Sequence, residues 1–155
     1  MKLTTYTDFG IRTLIYLATL PEGTKSSSAD VARIYQASRN HIAKVIAHLS
    51  ALGYIDSSRG KNGGIWLIQQ PENINIGKLI RQLENTFSAT LTMDEVEENH
   101  LPECKLKQAL SAATQAFLTS MDEFYLNDLL ENRTTINELW RINTAILSTA
   151  EMPLE

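Results

Sequence analysis

The chain has 155 residues, 43% of them hydrophobic and 21% charged, enough to bury one core or two small ones. No apolar run approaches the roughly 20 residues of a membrane span, and the start MKLTTYTDFG lacks the charged and apolar regions of a signal peptide, so a cytoplasmic protein with no membrane partner is expected. The one cysteine, Cys104, excludes an intrachain disulfide and agrees with a reducing compartment.

The net charge of −4 is unevenly spread: residues 1–84 carry ten Lys/Arg against six acids, and residues 85–155 carry four against twelve. Affinity for phosphate follows where the bases lie rather than their total, so the basic half keeps a nucleic-acid partner open despite the acidic sum.

In chain order, Ile11, Leu14, Ile15 and Ala18 follow helical spacing between Thr7, an expected N-cap, and Leu20, with Pro21 after the end. Ser26, Ser27 and Ser28 offer N-caps for a short helix from Ala29 to Tyr35. Ser38 then caps a third helix whose apolar face is Ile42, Val45, Ile46, Leu49 and Leu52, closed by Gly53 where a helix C-terminus favours glycine. Tyr54 to Ser58 and Ile65 to Ile68 read as strands joined by RGKNGG. That loop is not a phosphate-binding P-loop, because Lys61 lies inside it and an apolar run follows instead of Ser or Thr opening a helix.

Two short helices across a tight turn, followed by a two-stranded hairpin, describe a winged helix-turn-helix. The expected fold class is mainly α with a small β-hairpin wing, extended by a long dimerisation helix. Arg39, Asn40, His41 and Lys44 lie on the first turns of the third helix, away from its apolar stripe, and Arg and Asn pair bidentately with guanine and adenine edges. Ser38 and Ser28, at the starts of two helices, join them as phosphate contacts. In this geometry Arg59, Lys61, Asn62, Gly63 and Gly64 form a wing against the minor groove or backbone of double-stranded DNA. Taken singly, each feature also reads as a solvated helix face or a solubilising turn. Trp66 and Leu67 read as packing of the wing.

Between Cys104 and Asn132, Leu106, Leu110, Ala113, Phe117, Met121 and Phe124 recur every three or four positions, a seam for a partner helix. Apolar residues on adjacent faces, Ala109, Ala116 and Leu118, would let the same helix pack on its own domain. Thr134 to Thr149 reads as one more helix through Ile136, Leu139, Trp140 and Ile146. The division expected is a DNA-binding domain over 1–84, an acidic sensor-type loop over 85–103, a dimerisation helix over 104–131 and a C-terminal helix and tail over 132–155.

The start LTTYTDFGIRTLIYLATLPEG, the segment SRNHIAKVIAHLSALGYIDSSRGKNGGIWL and the later CKLKQAL closely resemble the NsrR branch of the NsrR/IscR family of bacterial winged-helix regulators, over roughly residues 2 to 131. The resemblance implies a homodimer on palindromic operators, most often a repressor, which in the NsrR branch responds to nitric oxide through an iron-sulfur cluster. It also assigns Ser38 to His41 and Lys44 to the major groove, and Arg59 to Gly64 to the wing. Cluster-bearing members supply three cysteines ahead of the dimerisation helix, and here only Cys104 has a counterpart. The other two positions fall near Thr92 or Met93 and near Glu98, and the histidine some members use is Lys107. Asp8 matches a carboxylate donated by the other subunit.

Three accounts of the segment before Cys104 stay open: a ligand-free acidic connector, a labile cluster or metal on Cys104, Asp8, Glu98 and His100, or a reactive Cys104 thiol. No cofactor is assigned, since the ligand set for the implied cluster is incomplete. An enzyme is not expected, because His41 and His48, seven residues apart, gain no carboxylate or nucleophile in a catalytic set. The alternative outside DNA recognition is an interaction adaptor whose acidic half docks a basic partner.

Overall fold

The computed structural model describes residues 3–60, 63–84, 87 and 105–130. In order these form α1 (Thr5–Thr19), α2 (Ser28–Ile34), α3 (Arg39–Ala51), β1 (Ile55–Ser58), β2 (Gly64–Leu67), α4 (Ile76–Leu83) and α5 (Lys105–Met121), with 3-10 turns at Pro71–Asn73 and Leu126–Leu130. The mainly helical fold with one antiparallel hairpin is the one expected.

The start of α1 differs from expectation. Its N-cap is Thr4, whose side chain accepts the Thr7 N–H at 3.3 Å, while Thr7 is fully buried in the first turn. Apolar periodicity could not find this start, because the first turn is polar and its cap faces a group 80 residues away. That group is Glu84, only 1% exposed, whose Oε2 receives the Thr4 N–H at 2.8 Å and the hydroxyls of Thr4 and Thr7, each at 2.9 Å. A carboxylate at a helix N-terminus also gains from the helix dipole.

Of the three serines before α2, Ser27 is the cap, accepting the Asp30 N–H at 3.1 Å. Ser26 instead exchanges two backbone hydrogen bonds with Ile65, an isolated antiparallel bridge on the β2 edge of the two-stranded hairpin. The turn after α2 places Gln36 at φ +49°, the left-handed region. It is closed by Gln36 N–H to Arg33 O at 3.2 Å and Ala37 N–H to Ala32 O at 2.8 Å. That backbone costs a non-glycine residue about 1–2 kcal/mol.

Ser38 stands at the N-cap position of α3, but its side chain makes no capping hydrogen bond. At the other end Gly53, at φ +76°, donates to Ser50 O, and Tyr54 N–H reaches back to Leu49 O at 3.0 Å. This paired closure is the usual reason for glycine just past a helix. The buried face of α3 is Ile42, Val45, Ile46 and Leu49, and Leu52 falls at the C-cap, partly buried. The hairpin pairs Ile55 with Leu67, Asp56 with Trp66, Ser57 with Ile65 and Ser58 with Gly64. Tyr54 and Ile68 lie just outside the strands, though Ile68 N–H still donates to Tyr54 O.

Helix α4 was not expected from the sequence. Asn75 caps it by accepting the Lys78 N–H at 2.9 Å, and Ile76, Leu79, Ile80 and Leu83 are buried. Its start is tied to the end of α5. Arg81 makes a two-bonded ion pair with Asp122, Asn75 Nδ2 donates to Asp122 O at 2.6 Å, and Ile76 N–H donates to Phe124 O at 2.9 Å. The Arg81 hydrogen bond and charge hold the Asp122 carboxyl below the usual aspartate range.

These ties end the helix earlier than expected, at Met121 and not near residue 131. Phe124 therefore lies in the turn after α5 and is not the last position of a helical seam. Within α5 the residues facing the chain's own core are Thr114 and Leu118, with Phe117 and Met121 packed beside them. Leu106, Leu110 and Ala113 remain exposed, as do Ala109 and Ala116. The expected helix over 134–149 lies outside the described residues. The core is one cluster joining α1, α3, the hairpin, α4 and Leu118.

Candidate nucleic-acid interface

A helix turns about 100° per residue, so burial of Ile42, Val45, Ile46 and Leu49 leaves Asn40, Ala43, Lys44 and Ala47 on the outer side of α3. All four are exposed. Among the described residues, the side chains of Arg39, Asn40 and Lys44 make no hydrogen bond or ion pair, so they are free to meet another molecule. Ala43 and Ala47, which sequence reading passed over, keep that side low and let the helix axis approach a groove floor closely.

The two histidines lie on the flank of α3 that faces α1. His41 is exposed but meets the Phe9 ring edge-on at 5.9 Å, and its ring centroid is 6.5 Å from that of Tyr6. His48 Nδ1 is 3.1 Å from the Tyr6 hydroxyl, which also donates to Lys44 O at 3.3 Å. Their spacing of seven thus places both against α1. Tyr6 and Phe9 brace α3 from the side, a role invisible in sequence because the partners are 32 to 42 residues apart.

Arg39, the first residue of α3, lines a groove of about 590 Å³ with Ala29, Asp30, Ala32, Arg33, Gln36 and Ala37. Arg33 there is paired with Asp30 at 2.7 Å. Ser28 is exposed at the start of α2, and Ser38 is exposed before α3.

On the wing Arg59 and Gly60 are exposed, Gly60 adopts φ +102°, and Gly63 N–H donates to Gly60 O at 2.9 Å. Lys61 and Asn62 lie outside the described residues. Gly63 and Gly64 are partly buried, and both serve packing of the hairpin. A Cβ on Gly63 would meet Arg59 C at 2.8 Å, and one on Gly64 would meet Ser26 O at 2.7 Å. Lys25, missed by sequence reading, precedes the bridging Ser26 and has its ammonium 4.4 Å from the Trp66 ring centroid. Trp66 is thereby engaged in a cation–π contact on the hairpin.

Of the expected metal ligands, only Asp8 is described. Its carboxylate accepts from Arg12 Nε at 2.8 Å, an i,i+4 pair on the surface of α1. Glu98, His100 and Cys104 lie outside the described residues. Among the described residues no three His, Cys, Asp or Glu gather as a metal would require, and no helix is long and apolar enough to cross a membrane.

A helix-turn-helix followed by a hairpin, with an unpartnered polar outer face on its second helix, defines the winged-helix class of DNA-binding protein. The chain belongs to the Rrf2 family, described as iron-dependent transcriptional regulator, which matches residues 3–132. It is a DNA-binding transcriptional regulator, and of the two readings the charge division left open the family membership selects this one over the adaptor. Among solved structures it is similar to T. potens IscR, with a TM-score of 0.68 and 21% identity, covering 100% of this chain and 94% of that one. It is also similar to CymR, the global cysteine regulator of B. subtilis, with a TM-score of 0.64 and 26% identity over 83% of this chain and 95% of that one. The oxidized form of Staphylococcus aureus CymR gives a TM-score of 0.64 and 27% identity over 84% of this chain and 97% of that one.

Proposed function

We propose that the protein is a homodimeric repressor of the nitric-oxide-responsive branch type, reading a palindromic operator with α3 and bracing it with the wing, and that its sensor segment is degenerate. The observation that carries the DNA reading is the outer side of α3, where the side chains of Asn40 and Lys44, beside the small side chains of Ala43 and Ala47, are exposed and make no hydrogen bond or ion pair among the described residues. Asn40 supplies the bidentate amide suited to adenine. Lys44 and Arg39 supply cations for guanine edges or phosphates. Arg59 at the wing adds charge toward the neighbouring backbone. His41, turned toward α1, contributes at the margin of this surface.

The dimer reading is supported by the exposed apolar residues of α5. Leu106 is 65% exposed and Leu110 53%, both in the first half of the helix, while Thr114, Phe117, Leu118 and Met121 in its second half pack on its own domain. Two copies joined along the first half would place their α3 helices about one DNA turn, or a multiple of it, apart.

The donor set does not fit a conventional iron-sulfur cluster. Such clusters are held by several cysteine thiolates; this chain has one cysteine, and Asp8 is engaged by Arg12. Regulation of DNA binding in this chain is therefore expected to rest on chemistry other than a conventional cluster.

The experiment that tests the DNA reading is binding of Arg39→Ala and Lys44→Ala to a duplex that the wild-type protein selects from a random-sequence pool. Both variants are expected to bind more weakly, each losing about 1–3 kcal/mol, with Arg39→Ala also relaxing base preference. Wild-type affinity in both would remove α3 as the reader. Anaerobic purification of wild type beside Cys104→Ala, with visible spectrum and iron and sulfide analysis, is expected to give two colourless proteins that bind DNA alike. Stoichiometric iron and sulfide in the wild type alone would restore the cluster.

A further inference from the structure

We propose that Gln36, in the turn between α2 and α3, is a DNA backbone contact whose amide donates to a phosphate beside the groove entered by Arg39. The proposal rests on the reading of α3 as the DNA-contacting helix. Gln36 occupies the left-handed region at φ +49°, where glycine is the unstrained choice. The bonds that close the turn, Gln36 N–H to Arg33 O and Ala37 N–H to Ala32 O, are backbone to backbone, so glycine would make them equally well. The fold therefore has no need of this side chain. It is exposed, and among the described residues its amide has no hydrogen-bond partner.

Its surroundings indicate what it meets. Gln36 lines the same groove as Arg33, Arg39 and Asp30. Asp30 is occupied on both oxygens, by Arg33 at 2.7 Å and by the Ser27 hydroxyl at 2.6 Å. That pairing offsets the local negative charge and leaves Gln36 and Arg39 as donor side chains of the groove with no hydrogen-bond partner among the described residues. Gln36 lies before α3 begins, off the outer side that Asn40 and Lys44 present. From there an amide reaches the strand backbone flanking the groove, not a base edge. A strained residue with a free donor at the rim of a binding surface exchanges stability for contact.

The phosphate contact predicts a combination that neither a base contact nor a structural role gives: weaker binding on a parallel salt line, with unchanged base preference and no loss of thermal stability. A neutral amide releases no counterion, so its loss shifts the plot of log affinity against log salt without changing the slope. Anisotropy titrations across a salt series, on the selected duplex, compare wild type with Gln36→Gly, Gln36→Lys and Arg39→Ala, each also melted thermally.

Gln36→Gly is expected to melt higher than wild type yet bind about tenfold more weakly, on a parallel salt line and with unchanged base preferences. Gln36→Lys is expected to recover affinity and steepen the slope by about 0.9 log units. Wild-type affinity in Gln36→Gly, or altered preference at one base pair, would overturn the assignment. Because Arg39→Ala is read beside it, loss of affinity there with none in Gln36→Gly removes only the Gln36 contact. No loss in either, with none in Lys44→Ala, removes the α3 reading together with it.

Discussion

Gly53 shows how one residue ends α3. At φ +76° it sits where an L side chain is strained, yet a Cβ added there would meet nothing within 4 Å. The cost of Gly53→Ala is thus conformational and not steric, expected at about 1 kcal/mol after allowing for the stiffer unfolded chain. A urea titration checks it: the midpoint should fall while the slope stays constant, and an unchanged midpoint would mean that the turn relaxes freely. Gly63 and Gly64 differ in kind, because there a side chain would press on backbone atoms of Arg59 and Ser26. Glycine at the wing is explained by packing of the hairpin at these two positions, whatever the tip meets.

At the scale of elements, α3 and α4 contrast. Helix α3 was legible because its apolar residues repeat with helical spacing over thirteen residues and a glycine closes it. Helix α4 has eight residues with Gly77 in its first turn, a weak local preference for helix. What holds it is non-local. A Cβ on Gly77 would come within 2.8 Å of Asp122 N, so the glycine permits the close approach that lets Arg81 and Asn75 clasp the end of α5.

The clasp has a pH dependence. Because Arg81 depresses the Asp122 pKa in the folded state, its contribution is present above the unfolded value of about 4 and is lost as pH falls through the lower folded value. Urea melts of wild type and Asp122→Asn should therefore differ at neutral pH and converge below about pH 4. A difference that persists into acid would assign the clasp to packing and not to charge.

For the whole molecule, the question is what meets the open part of α5. Thr114 and Leu118 bind its second half to its own core, and Leu106 and Leu110 in its first half are exposed. Leu110→Glu is expected to leave the helical circular dichroism intact, shift the sedimentation coefficient to that of a monomer and weaken operator binding, since each protomer would then hold only a half-site. A dimer that survives the substitution would place the interface elsewhere. Asp8, Arg12 and the start of α1 belong to this scale too, because α1 touches Glu84 at one end of the domain and braces α3 through Tyr6. Helix α1 thus links the Glu84 carboxyl to α3.

Local pattern by itself determined α1 to α3, the hairpin and the polar set on α3, because helical and strand periodicity, capping serines and terminal glycines act over a few residues. The family resemblance carried by SRNH and RGKNGG likewise lies in continuous stretches of chain. Only the tertiary structure decided that Thr4 starts α1, that α4 exists, that α5 stops at Met121, and that the histidines of α3 turn toward α1. Each of these depends on a partner far along the chain, Glu84, Asp122, Arg81 or Tyr6. Hydrogen bonds and ion pairs between such distant residues leave no period in the sequence from which they could be read.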